Sequence, residues 1–372
     1  MKGMVKVNFT LAMVYHNFPA GNDGMGAAVI NLHQSFLFSF MKKLSASLLF
    51  VLLALASQLA SAQTIRRVNN TGLTGTNIYA DLTAAQTAAS NGDIIQVEPS
   101  SIAYPAFNCT KQLTIVGPGY FLTENQPPVL QASSIASTIG AITFSAGSAG
   151  TTISGLIGNT NWYIATNNIT IQRCYITGYI YTGYGLVTTG AVIRQNYFYG
   201  VQESSVATNS LITNNIMYSQ TNITGAGNTG EFTNNSVVGG TVNLNAFTVR
   251  NNYFGSTFTP TVNTSWSYNF LAAATLPTPG SQSNNTANVT QASIFVLTPT
   301  SFGQFDGWYK LKPAPNTALG AGQGGVDIGA TGSATGYGYR FAGLPGIPAI
   351  YQLNQVVTGN NLNVTIGTRS NN

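Results

Sequence analysis

The chain has 372 residues, 44% of them hydrophobic and only 6% charged, with 14 Lys and Arg against 9 Asp and Glu for a formal charge of +5. Lys2, Lys6, Lys42, Lys43 and Asp23 all precede residue 63, which leaves ten cations and eight acids spread over the rest of the chain. That thin, nearly balanced charge argues against a nucleic-acid or anionic-membrane surface, which needs clustered cations.

Residues 1–40 do not read as the start of a domain, and a second start follows at Met41. Lys42 and Lys43 form a basic region, Leu44 to Ala56 a mostly apolar run, and Ala60-Ser61-Ala62 a small-residue cleavage site, the order of a secretory signal peptide over 41–62. Residues 1–40 are then an upstream extension and the mature chain begins at Gln63. The apolar run is too short for a membrane span, and no other stretch reaches the roughly 18 apolar residues that one requires. Both histidines, His16 and His33, are lost with the leader. Cleavage would therefore exclude Ser-His-Asp and His-metal chemistry, and no cofactor or metal is expected.

Asp81 is suited to cap a short helix carrying Leu82, Ala85, Ala88 and Ala89 at helical spacing and ending at Asn91-Gly92. Strands follow through Ile94, Ile95 and Val97, ended by Glu98-Pro99, and through Leu113, Ile115 and Val116. From residue 167 to 254 a repeat is visible. Ile171-Gln172-Arg173-Cys174-Tyr175 aligns with Ile193-Arg194-Gln195-Asn196-Tyr197, Ile212-Thr213-Asn214-Asn215-Ile216, Phe232-Thr233-Asn234-Asn235-Ser236 and Val249-Arg250-Asn251-Asn252-Tyr253. The fourth column, Cys174, Asn196, Asn215, Asn235 and Asn252, advances by 22, 19, 20 and 17 residues, about one coil of a parallel β-helix per step. The apolar first column must point inward, and stacking at about 4.8 Å per coil would turn the fourth into a ladder of buried, mutually bonded Asn side chains. Cys109 and Cys174 lie 65 residues apart, about three coils, too far for a disulfide, which tolerates Cα separations only up to about 7 Å; both are expected to remain free thiols. At the end of the chain Leu362, Val364 and Ile366 alternate with Asn363 and Thr365 as in a half-buried strand, and Thr358-Gly359-Asn360-Asn361 can turn it back on Ile350 to Leu353.

The capping helix, the Gly92-Asp93 turn, Leu113-Thr114-Ile115-Val116-Gly117-Pro118-Gly119-Tyr120 and the Asn column together resemble the pectate-lyase-like right-handed β-helix superfamily. Trp308 to Pro313, Ala318 to Gly322 and Val326 to Ala330 look like the closing motif of secreted bacterial β-helix proteins, and 343–351 with 362–366 is similar to tails of secreted Bacteroidetes proteins. The resemblance implies an all-β, right-handed parallel β-helix solenoid over 63–342, with a short N-terminal capping helix and a small C-terminal β appendage over 343–372. It also implies an extracellular or cell-surface location. It says little of activity, because this superfamily hosts lyases, hydrolases and adhesins alike.

Glycan-cleaving members carry clustered carboxylates, as an acid and base pair or as a calcium cage. Here only Glu203 and Glu231 lie between residues 125 and 305, on separate coils. Asp81 reads as a cap, and Asp93 and Asp327 as turn residues. Arg194 and Arg250 share an outward column with no acid partner in register to make either a base. Aromatics are more informative: Trp162, Tyr163, Tyr175, Tyr179, Tyr181, Tyr184, Tyr197, Phe198 and Tyr199 crowd together. Exposed Tyr and Trp can stack on sugar rings, which makes Trp162, Tyr163, Tyr179, Tyr181, Tyr184 and Tyr199 the candidate binding residues; the same side chains could instead fill the core and cover neighbouring coils. The reading adopted is a non-catalytic binding or scaffolding protein whose partner is a polysaccharide or cell-envelope glycan. A divergent polysaccharide lyase or glycoside hydrolase is the alternative.

Overall fold

Short strands, each ended by a turn, stack on their equivalents one coil further on, so that every coil contributes the same few positions to continuous sheets. The computed structural model describes residues 63–372 except 126–127, 257, 279–280, 297–304, 334–335, 337 and 371–372. The extension and leader expected over 1–62 lie outside the described residues. The result is an all-β parallel solenoid of about nine coils. A twelve-stranded sheet runs from Ile78–Tyr79 and Ile65–Val68 to Ser281–Ser283, and a fifteen-stranded sheet contributes two further strand columns to each coil.

Inward positions of the first sheet form one column in register: Ile95, Ile115, Ile153, Ile171, Ile193, Ile212, Phe232, Val249 and Trp266. All nine are buried. β-branched side chains dominate because they suit a pleated surface and lose little rotamer freedom there, and each buried Ile contributes roughly 1.5–3 kcal/mol. Helix α1 (Leu82–Ala88) packs Leu82 and Ala85 against the first coils. Asp81 Oδ1 accepts the Ala84 amide at 2.8 Å, as its capping position requires, and the helix stops at an Ala89 cap, before Asn91-Gly92.

Between the first and second sheets each coil from Gly155 onward turns through one left-handed residue followed by the ladder position. Gly155, Arg173, Gln195, Asn214, Asn234, Asn251, Tyr268 and Asn284 all have φ between 52° and 73°. The residue after each of the last six is an Asn whose amide bonds the neighbouring coils. Asn215 is typical: Nδ2 donates to the Ile193 carbonyl (2.8 Å), the Thr213 carbonyl (3.0 Å) and Asn235 Oδ1 (3.0 Å), while Oδ1 accepts the Asn196 backbone amide at 2.9 Å. The pattern runs on to Asn269 and Asn285, two rungs beyond the repeat read from the sequence. Cys174 closes the other end by imitation, since its sulfur accepts the Leu156 amide and donates to the Gln172 carbonyl at 3.2 Å.

Holding a non-glycine residue in the left-handed region costs free energy, and the returning chain shows what offsets it. The described residues between 323 and 344 run back along the ridge of turns. Arg173 Nη1 donates to the Leu344 carbonyl (3.0 Å), Gln195 Nε2 to the Gly338 carbonyl (2.7 Å), Asn214 Nδ2 to the Ala330 carbonyl (2.9 Å) and Asn234 Nδ2 to the Asp327 carbonyl (3.4 Å). Asn251 Oδ1 accepts the Gln323 amide at 2.8 Å. The left-handed residues therefore hold a strap that covers the turns.

The C-terminal appendage is an antiparallel hairpin of Ala349–Thr358 and Asn361–Arg369, joined through Gly359 at φ 61°. Its strands are not half-buried, as the alternation of Leu362, Val364 and Ile366 suggested: these three are 60%, 47% and 57% exposed. Alternation makes two unlike faces, but burial needs a second layer, and among the described residues none is packed on this one.

Candidate functional site

The strand Tyr175–Thr182 alternates strictly, with Ile176, Gly178, Ile180 and Thr182 inward and Tyr175, Thr177, Tyr179 and Tyr181 outward. One coil earlier, in Trp162–Ile164, Trp162 and Ile164 point inward and Tyr163 outward, and register places Tyr163 beside Tyr181. Their rings stack at 5.3 Å with an interplanar angle of 20°. Tyr184, on the following turn, lies 4.5 Å from Tyr163 and is 44% exposed. Tyr179 meets Tyr199 edge-on at 5.4 Å and donates to or accepts from Ser219 Oγ at 3.0 Å; Tyr199 in turn meets Tyr218 at 4.9 Å. Five of the six candidate residues thus form one outward aromatic patch across consecutive coils.

Trp162 does not join them. It is fully buried in the solenoid core, so it is a packing residue and cannot stack on a ligand. A period of two separates neighbouring residues onto opposite faces, and coil closure assigned Trp162 to the interior. Tyr175 and Tyr197 belong to a second cluster that Phe121 and Tyr309 cover, and burial pushes both phenols up. The outward column continues beyond the tyrosines as Gln202, Asn222, Asn243 and Thr259 on one side and Thr143 and Asn108 on the other. Asn243 donates to Asn222 Oδ1 at 3.2 Å, a polar continuation of the aromatic surface.

Carboxylates have structural duties. Glu203 fastens a turn by accepting the Thr224 and Gly225 amides and Asn228 Nδ2 at 2.7–2.9 Å. Glu231 pairs with Arg250 at 3.0 Å. Asp93, read as a simple turn residue, is 5% exposed and pairs with Arg66 at 3.0 Å. Burial alone would raise its carboxyl, but the Ser90 and Thr64 amides and the Arg66 guanidinium outweigh this and hold it below the usual range. Asp327 Oδ1 accepts the Gly320 amide at 2.9 Å. Among the described residues no three His, Cys, Asp or Glu side chains are grouped to hold a metal, and no helix is long and apolar enough to cross a membrane.

Arg194 and Arg250 lie three coils apart in the outward column Arg194–Thr213–Thr233–Arg250, where they line a 450 Å³ cleft beneath the strap. Arg194 Nε donates to Gln172 Oε1 at 2.8 Å. This cleft and the tyrosine patch are on different sheets.

Asp306 carried no signal in the sequence. Fully buried, it accepts Asn125 Nδ2, the Tyr339 hydroxyl and the Ala342 amide, each at 3.0 Å, and Tyr339 in turn meets the Tyr120 hydroxyl at 2.6 Å. Burial pushes its carboxyl up to about 6 against these donors. The group ties Tyr120 and Asn125 to the strap residues Tyr339 and Ala342. Both cysteines are free and buried, and burial raises each thiol, Cys174 to about 12.

No family model matches the chain and no curated protein matches it. Among solved structures, pectate lyase Pel9A is similar over 74% of this chain and 97% of that one, at 13% identity and a TM-score of 0.30.

Proposed function

We propose that the protein is exported and acts outside the cell as a non-catalytic solenoid that binds a polysaccharide or cell-envelope glycan along the tyrosine-bearing face. The observation that carries this reading is the contiguous patch of Tyr163, Tyr179, Tyr181, Tyr184 and Tyr199, followed in register by Gln202, Asn222 and Asn243. Sugar rings offer apolar faces for tyrosine and hydroxyls for amide side chains, and coils about 4.8 Å apart present these groups at a regular spacing along an extended ligand. The structural duties of Glu203, Glu231, Asp93 and Asp327 favour binding over cleavage.

The test is isothermal titration of the protein with a panel of neutral and acidic polysaccharides, with product analysis of the same mixtures. Binding without turnover is expected, and Tyr163→Ala with Tyr181→Ala should weaken it by about tenfold, the equivalent of roughly 1.4 kcal/mol. Binding untouched by these changes would refute the site. Turnover abolished by changing Arg194 or Arg250 would replace the reading with a lyase or hydrolase.

A further inference from the structure

The C-terminal hairpin leaves an apolar face uncovered, and we infer that this face is the contact through which two copies of the chain associate. Register places Leu353 opposite Ile366, Gln355 opposite Val364 and Val357 opposite Leu362, all on one side of the two-stranded sheet. The other side carries Asn354, Val356, Asn363 and Thr365. Leu353, Val357, Leu362, Val364 and Ile366 are between 47% and 73% exposed. A two-stranded hairpin is marginally stable in water, so one with a whole apolar face in solvent calls for a second layer.

The solenoid does not supply that layer. It holds the hairpin near its base, where the Ala132 amide donates to the Ile350 carbonyl at 2.7 Å and Arg369 Nη2 to the Leu130 carbonyl at 2.7 Å. Between hairpin and solenoid a cleft of about 1080 Å³ remains, which adjoins the apolar patch at Leu353 and is lined by Pro128, Val129 and Tyr351 together with the polar Asn354 and Arg369.

Area and charge point to a second copy as the occupant. Five side chains at this exposure present on the order of 500 Å², near the upper end of the largest patch that a monomer ordinarily leaves open. A standard interface covers roughly 800 Å² per partner, so the remainder would have to come from the cleft and the polar rim. Residues 341–368 contain no Asp, Glu, Lys or Arg. The hairpin faces of two copies can therefore meet about a two-fold axis with no like charges opposed, apolar face on apolar face at the roughly 10 Å separation of packed sheets, while Arg369, at the cleft, is engaged with the Leu130 carbonyl. A lipid surface fits less well, since interfacial segments carry Lys and Arg on their polar side, and here that side has Asn354, Val356, Asn363 and Thr365 and no cation.

Sedimentation velocity and light scattering over a range of micromolar concentrations test this on the purified full chain. The native protein should pass from monomer to dimer with rising concentration. Val357→Lys or Leu362→Lys should raise the dissociation constant by about tenfold or more, because each buries a charge with no partner. Asn363→Lys, on the opposite face, should leave association unchanged, and circular dichroism should show all three variants folded. A native protein that stays monomeric throughout, one whose association ignores Val357→Lys and Leu362→Lys, or one that Asn363→Lys disrupts equally would overturn the inference. So would a monomer that floats with phosphatidylcholine vesicles, which would give the face to lipid.

Discussion

Replacing Asn215 by Leu isolates what the ladder contributes, because the two side chains share one branched skeleton of four heavy atoms and differ in what they bond. The change removes the acceptor of the buried Asn196 backbone amide and a donor to the Ile193 and Thr213 carbonyls. The neighbouring rungs keep other partners: Asn196 Nδ2 still reaches the Ile171 carbonyl, and Asn235 Oδ1 still accepts the Asn215 amide. One donor is therefore stranded outright, at about 1–3 kcal/mol, while the carbonyls lose one of two possible partners. The expected net cost is about 1–3 kcal/mol, a fall of a few degrees in melting temperature for a chain of this size. Urea unfolding should show a lower midpoint with an unchanged slope, and outward Thr248→Val, two coils on, should shift it by less than about 0.5 kcal/mol. A midpoint unaltered by Asn215→Leu would mean that water reaches the column and that the ladder is not sealed inside the solenoid.

Ile193→Ala should cost about 2–5 kcal/mol by opening a cavity in the inward column, read from the same urea curves. Cys109 and Cys174 should resist a thiol reagent in the native protein and yield two thiols per chain after denaturation without reductant; finding none would disprove the coil spacing between them. Asp306, with its carboxyl near 6 in the folded state and near 3.8 when unfolded, binds its proton more tightly when folded. Its contribution to stability therefore falls as pH rises from about 4 to 6, and Asp306→Asn should flatten that part of the melting-temperature profile. A variant whose profile matches the native one between those values would show that the carboxylate's hydrogen bonds cancel its burial.

What could be read without coordinates was whatever repeats once per coil. Ile171, Ile193 and Ile212 recur one coil apart and so share one environment, and the Asn column follows from the same stacking. Even there the reading stopped at Asn252, although Trp266-Ser267-Tyr268-Asn269-Phe270 follows at the same 17-residue step; in the next segment, Gln282-Ser283-Asn284-Asn285-Thr286, a polar Gln takes the place of the apolar first residue. Local alternation likewise separated Trp162 from Tyr163 without saying which was inside, and it gave Leu362, Val364 and Ile366 one face without saying whether anything covers it. Asp306 lies at the other limit. Its partners Asn125, Tyr339 and Ala342 stand 181, 33 and 36 residues away, with no periodicity linking them. The left-handed Arg173, Gln195 and Asn214 show the division in one place: their spacing is a property of the repeat, but their bonds go to carbonyls of Leu344, Gly338 and Ala330, more than a hundred residues on. Periodic contacts are written into a sequence because each coil meets a copy of its own pattern, whereas contacts between the solenoid and its returning strap join unlike segments, and only the folded chain brings those together.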